Sequence, residues 1–275
     1  MPLIALASVK ASPGVTTTAL ALAAVWPAPQ RLVLEADPSG GDLGAWLALP
    51  PAPGLASLAA AIRHDHQPGA AWRHAQALSS GLSVVIAPAG GEQAAACLAT
   101  LASPRAGAGW LGAGDQAVVI ADCGRLDPWS PAFAVAAQAA VTVLLVRPQV
   151  SELSHLSERV PGLARAGLRL VLLLAPEARR GTGEASYPPG EIAATLGVPV
   201  QASLPADLRA TAALIRGRGE LPPARRLPLI KAVTGLAAAL AVQVNPPPPP
   251  GQRAAAGPAM NHPYQQEVTA SDAGR

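Results

Sequence analysis

Val9-Lys10-Ala11-Ser12-Pro13-Gly14-Val15-Thr16-Thr17-Thr18 closes the apolar run Leu3–Val9 and opens an Ala/Leu stretch, Thr17–Val25. An apolar strand, a tight loop of small residues and a helix start together form a phosphate-binding arrangement. The loop amides point inward, and the helix dipole favours an anion at its N-terminus. Thr16 falls in the first helical turn, where a hydroxyl can ligate Mg2+.

The same rhythm continues along the chain. Short apolar runs recur at Arg31–Glu35, Leu82–Ala87, Ala117–Ala121, Val141–Val146, Leu168–Leu174 and Val198–Leu204. Several are continuous Val/Leu/Ile runs, as expected of strands covered on both faces. Between them lie helix-compatible segments at Leu55–Arg63, Gly91–Leu101, Ala132–Ala140, Glu152–Ala166 and Glu191–Leu196. Strand and helix alternating in this way predict an α/β three-layer sandwich with a mostly parallel sheet. Pro228 opens a last helix, with Leu229, Ile230, Val233, Leu236, Ala237 and Leu240 on one face. After it come Pro246–Pro250 and a Gly/Ala/Gln/Ser segment without apolar period. The expected organisation is therefore one domain over 1–245 and a Pro-rich disordered tail over 246–275.

Composition sets the limits. The chain has 275 residues, of which 50% are hydrophobic, 13% charged and 3% aromatic. Wholesale disorder is excluded outside the proline-rich end, and the core must be built from Ala, Leu and Val. Of 20 basic residues only Lys10 and Lys231 are lysine, so the position of each is informative. Cys97 and Cys123 are too few and too far apart for a disulfide framework or a metal knuckle. A reduced, cytoplasmic setting is expected. MPLIALASVK has no basic region before its apolar run, so no secretory signal is expected. The uncharged stretches Ala11–Gln30 and Trp129–Val146 are broken by Pro, Thr or Gln, and no transmembrane segment is expected. His64, His66 and His74 cluster without a Cys or carboxylate set to complete a metal site.

The stretch at 10–17 resembles the deviant Walker A motif of the MinD/ParA family of P-loop ATPases, K-G-G-x-G-K-T-T. Lys10 falls on the signature lysine, Gly14 on the last glycine, and Thr16 and Thr17 on the two threonines. Ala11 and Ser12 replace the paired glycines, and Val15 replaces the P-loop lysine. The small side chains keep backbone approach open. Val15 removes a charge-assisted phosphate contact worth about 1.5–3 kcal/mol. The resemblance implies ATP and Mg2+ as ligands, held by Lys10, Ala11, Ser12, Pro13, Gly14, Val15, Thr16 and Thr17. It also implies that Lys10 reaches phosphate across a homodimer, and that hydrolysis is slow or absent without the lysine at 15.

Two acidic segments extend the resemblance. Glu35-Ala36-Asp37-Pro38-Ser39-Gly40 is similar to the family's D-x-D-P-x-G, with Glu35 in place of the first aspartate. By carry-over Asp37 orients the attacking water, a catalytic role shared with Lys10. Val118-Val119-Ile120-Ala121-Asp122 has the form of a Walker B strand, placing Asp122 at the sheet's C-terminal edge to hold Mg2+ through water, together with Thr16. Asp42 is placed to cap a short helix, and Gly124 to let the next loop approach the γ-phosphate. Leu174 is followed by Ala175-Pro176 where the family often places an adenine-reading Asn, so base selectivity is not given by the resemblance.

The function expected is a nucleotide-dependent dimerisation switch in cellular positioning or in chromosome or cargo partitioning, with partner proteins the sequence does not name. Two alternatives stand beside it. One is a pseudo-ATPase scaffold of the same fold. The other is a nonspecific DNA-binding protein using Arg209, Arg216, Arg218, Arg225 and Arg226.

Overall fold

The computed structural model describes residues 2–10, 12–64, 67–103, 106, 109–112, 116–176, 186–216 and 227–244. Its strands are β1 (Leu3–Ser8), β2 (Gln30–Glu35), β3 (Gln76–Ala77), β4 (Ser83–Val85), β5 (Ala117–Arg125), β6 (Val141–Val146), β7 (Leu170–Leu174) and β8 (Val200–Ser203). They form one 8-stranded sheet in the order β3-β4-β2-β5-β1-β6-β7-β8. Every pairing is parallel except that of β3 with β4. Each apolar run read as a strand is one. The added edge strand β3 is too short to leave a periodic signal.

Helices cover both faces. They are α1 (Val15–Val25), α2 (Leu43–Trp46), α3 (Leu55–Ile62), α4 (Ala70–Arg73), α5 (Gly91–Leu101), α6 (Phe133–Ala136), α7 (Val150–Arg165), α8 (Pro189–Leu196), α9 (Leu208–Arg216) and α10 (Pro228–Val244). The segment Ala132–Ala140 is helical only over α6, and the remainder turns toward β6.

The alternation of side chains across a strand divides β1 between two cores. Ile4 and Leu6 join one cluster with Leu20 and Leu22 of α1, Leu214 of α9, and Val233 and Leu240 of α10. Leu3, Ala5 and Ala7 join the other, with Leu58 of α3, Leu98 of α5 and Leu156 of α7. All six residues of β1 are buried because each face has its own cover. That is the physical reason for its unbroken apolar run. A Leu→Ala change here costs about 2–5 kcal/mol. Within α1, Ala19 to Ala23 are each at most 1% exposed, so this helix is enclosed on every side, between the sheet and α10. The architecture is the expected α/β three-layer sandwich. The segment 246–275, Ala11, His66, Arg218, Arg225 and Arg226 lie outside the described residues.

Candidate functional site

In a parallel sheet covered on both faces, ligands gather beyond the carboxyl ends of the strands. A cavity of about 530 Å³ lies there in this chain. Its lining comes from three loops: Ser12, Gly14, Val15, Thr16 and Thr17 after β1; Asp37, Ser39, Gly40, Asp42 and Trp46 after β2; and Gly124 and Arg125 at the end of β5. A second groove of about 330 Å³, between α7 and α8, is lined by Leu153, Tyr187 and Ile192, with Glu191 as its charged residue among those described. It has no convergence of loop amides and carboxylates.

The first wall is the start of α1. Gly14 stands at the N-cap with φ 99° and ψ 36°, a left-handed conformation that a residue with a Cβ adopts only under strain. A Cβ at Gly14 would meet nothing within 4 Å, so its glycine answers the backbone turn rather than crowding. No side chain caps α1, and its first turn begins at Val15. The opening amides of a helix have no partner within it, so they are available to an anion. Thr18 turns inward instead, its N–H and Oγ1 both donating to the Gly14 carbonyl at 2.9 and 2.8 Å. Val15 is 6% exposed and packs into the apolar cluster while still edging the cavity.

The structure does not bring Lys10 to this wall. Lys10 is exposed, outside the cavity lining, and its Nζ lies 2.7 Å from Nε2 of His155 on α7. Arg147, at the exit of β6, braces the loop. Its guanidinium pairs with the buried Glu152 at 2.5 Å and donates to the Ser12 carbonyl at 3.4 Å.

The second wall is acidic. Asp122 is fully buried on β5, beside Leu6 of β1 and Glu35 of β2 in register. Its Oδ1 accepts from the Gly124 N–H at 3.0 Å, while Oδ2 is buried with no hydrogen-bond partner. Burial raises its pKa to about 7. The nearby Thr16 side chain and the Gly124 amide oppose the rise, and the Glu35 and Asp37 charges add to it. Thr16 therefore comes near the carboxyl, though no hydrogen bond to Oδ2 is completed. An orphaned carboxyl oxygen beside a first-turn threonine fits a hydrated divalent cation. Among the described residues no group of three His, Cys, Asp or Glu side chains could hold a metal. Phosphate oxygens would have to complete such a site.

Asp37 accepts the Ser39 N–H on Oδ1 at 2.7 Å, an Asx turn that fixes the loop after β2. Its carboxyl sits on the Gly124 backbone: a Cβ there would run into the Asp37 carboxyl group, and Gly124 has φ +56°. What this glycine leaves room for is the Asp37 carboxyl, from the loop after β2. Asp42 is the N-cap residue of α2, without a side-chain cap bond. Cys123 is fully buried, and burial, with Asp122 and Asp37 beside it, pushes its thiol up. His74 donates to or accepts from Ser57 Oγ at 2.9 Å, and burial next to Arg73 lowers its pKa.

Sequence reasoning missed the work of Glu35. It is 1% exposed, with Oε1 accepting the Asp42 and Leu43 amides at 2.7 and 2.9 Å, and Oε2 the Ala87 amide at 2.8 Å. One carboxyl thus ties the β2 exit to the β4 exit. Burial raises its pKa, opposed by those three amides and assisted by Asp42. The available signal was an acid ending an apolar run and followed by Gly40-Gly41-Asp42. A buried carboxyl needs several donors, and a glycine-rich turn supplies them.

No protein-family model matches the sequence, and no curated protein matches it. Solved structures do. A ParA family ATPase from Chlorobium tepidum superposes with a TM-score of 0.65 at 18% identity, covering 87% of this chain and 98% of that one. The septum site-determining protein MinD from Pyrococcus horikoshii, complexed with Mg-ADP, gives 0.63 at 18% identity, covering 87% and 95%. An ATP complex of Cyanothece McdA gives 0.62 at 18%, covering 88% and 96%. With the parallel sheet and the glycine-started helix beside it, these likenesses show that the chain has the fold of the MinD/ParA P-loop ATPases.

Proposed function

We propose that this protein is an ATP-binding dimerisation switch in cellular positioning or in chromosome or cargo partitioning, with slow or absent hydrolysis. The observation that carries the reading is one cavity in which an uncapped helix start faces an acidic wall containing a buried, unpartnered carboxyl oxygen. Neighbours of the same fold were solved with Mg-ADP and with ATP. In this reading the amides of Val15, Thr16 and Thr17 bind phosphate, and the Thr16 hydroxyl and Asp122 hold the hydrated Mg2+. That ion supplies charge neutralisation when bound. Asp37, fixed by its turn and by Gly124, orients water and can accept its proton. Val15 offers the transferring phosphoryl no cation, and such contacts carry about 10³–10⁵ in rate, so turnover is slow.

A second copy of the chain is the proposed partner, and the cytoplasm the proposed setting. No helix of the described residues is long and apolar enough to cross a membrane. Trp129, 92% exposed on the loop after β5, adds an apolar anchor at the cavity's edge of the sheet for a homodimer face. Equilibrium titration with a fluorescent ATP analogue and Mg2+ tests the binding. Saturation is expected, and its absence at millimolar ligand would leave a scaffold without nucleotide. The switch itself is tested by sedimentation: Mg-ATP should convert monomer to dimer, and Lys10→Ala should abolish the conversion.

Exposed Arg209 and Arg216, seven residues apart on α9 and so on one face, favour nonspecific DNA as a further ligand. Duplex binding that falls steeply with salt, and is lost when both become alanine, would support it. Salt-insensitive binding would remove it.

A further inference from the structure

A triphosphate entering this cavity meets Asp37 and Asp42, with Asp122 buried behind them, and no lysine at position 15. Two basic residues close in sequence or space to the loop are committed elsewhere. Lys10 bonds to His155, and Arg147 is paired with Glu152. Neither lines the cavity. Among the described residues the one cation that does is Arg125.

Its placement is built by an irregularity in the sheet. β1 and β5 advance together from Leu3↔Val119 to Leu6↔Asp122, but the next pair is Ser8↔Arg125. An even ladder would set Gly124 opposite Ser8. β5 therefore spends one extra residue, and Gly124, at φ +56°, takes the left-handed turn that absorbs it. Bulges of this kind re-aim side chains next to functional sites. The Leu126 N–H then donates to the Ser8 carbonyl at 2.8 Å, fixing Arg125 beside the start of the phosphate loop. Arg125 is exposed, and the one ion pair among the described residues is Arg147–Glu152, so its charge is not neutralised by a carboxylate.

We infer that Arg125 is the phosphate-binding cation of this site, replacing from β5 the charge that Val15 removes from α1. The inference rests on the proposed nucleotide reading. A guanidinium suits the task, because its planar fork meets two phosphate oxygens at once and stays charged at any working pH.

The test is the affinity of the full chain for a fluorescent ATP analogue with Mg2+, measured in the native chain and in variants. Arg125→Ala should weaken binding by about ten- to a hundredfold, and Arg125→Lys by less, because it keeps the charge but loses the fork. Arg165→Ala, an exposed arginine in the last turn of α7 and outside the cavity lining, should change nothing. Val15→Lys should restore binding in the Arg125→Ala background, and gain less in the native chain, because the two charges substitute for each other. If the native chain saturates and Arg125→Ala binds equally well, Arg125 is a solvated surface charge and the inference falls while the nucleotide reading stands. It falls likewise if Arg165→Ala weakens binding as much. If the native chain fails to saturate, the nucleotide reading itself fails, which the variants cannot mimic.

Discussion

The two walls of the cavity depart from the nucleotide-binding pattern in opposite ways. The wall after β1 keeps its shape and loses its charge: Gly14 still turns left-handed and α1 still starts uncapped, but Val15 stands where a lysine is expected. The wall after β2 and β5 keeps its charge and is tightened by extra bonds. Glu35 gathers three amides, and Asp37 is seated on Gly124. Backbone geometry survives the exchange of small residues because it depends on φ, ψ and helix direction. Electrostatic balance does not, and a cation lost from one wall leaves the acids of the other uncompensated unless a charge arrives from elsewhere.

The largest effect should come from removing the acidic wall's anchor. Glu35→Ala strands the buried Leu43 and Ala87 amides along with that of Asp42, and should destabilise the chain by about 3–5 kcal/mol in urea unfolding. An unchanged midpoint would mean the wall holds without its carboxyl. Asp122 comes next. Its folded-state pKa of about 7 lies above the ordinary 3.8, so the folded state holds the proton more tightly. In the metal-free protein this contribution is greatest below about pH 4 and is lost as pH rises through about 7, roughly 4 kcal/mol in all. Asp122→Asn should remove that part of the decline, seen as a smaller difference between urea midpoints at pH 5 and pH 8.

A smaller effect is expected where the walls' loops touch. Gly124→Ala forces a Cβ into the Asp37 carboxyl and a non-glycine residue into positive φ, costing about 1–3 kcal/mol. Thermal melting measures the stability, and a crystal structure would show Asp37 displaced. The smallest belongs to the uncharged wall's outlying lysine. His155→Ala removes an exposed partner of Lys10 and should leave stability within about 0.5 kcal/mol. A clear loss there would show that Lys10 is held for the fold rather than free for a partner.

The same contrast explains what was legible in the sequence. The strands and most helices could be read because burial on both faces leaves unbroken Val/Leu/Ile runs, and because Gly14-Val15-Thr16-Thr17 keeps the spacing of a strand-loop-helix turn. Asp122 was legible for the same reason, since it ends such a run, whereas Asp37 was legible from the Asp-Pro-x-Gly turn that follows Glu35. Glu35 was seen only as a substitution, because its amide partners lie at positions 42, 43 and 87 and converge only in three dimensions. Arg125 was invisible, because its aim depends on one extra residue in β5 that no periodicity records. The Lys10–His155 contact spans 145 residues and has no local signature.

The enclosure of α1 has a consequence for binding. With Ala19 to Ala23 almost wholly covered, the helix has no open side toward which to tilt. Its leading amides therefore hold their aim before any ligand arrives, and little reorganisation is left to oppose association. Rigidity stored in an alternating Ala/Leu helix can in this way offset part of a missing charge.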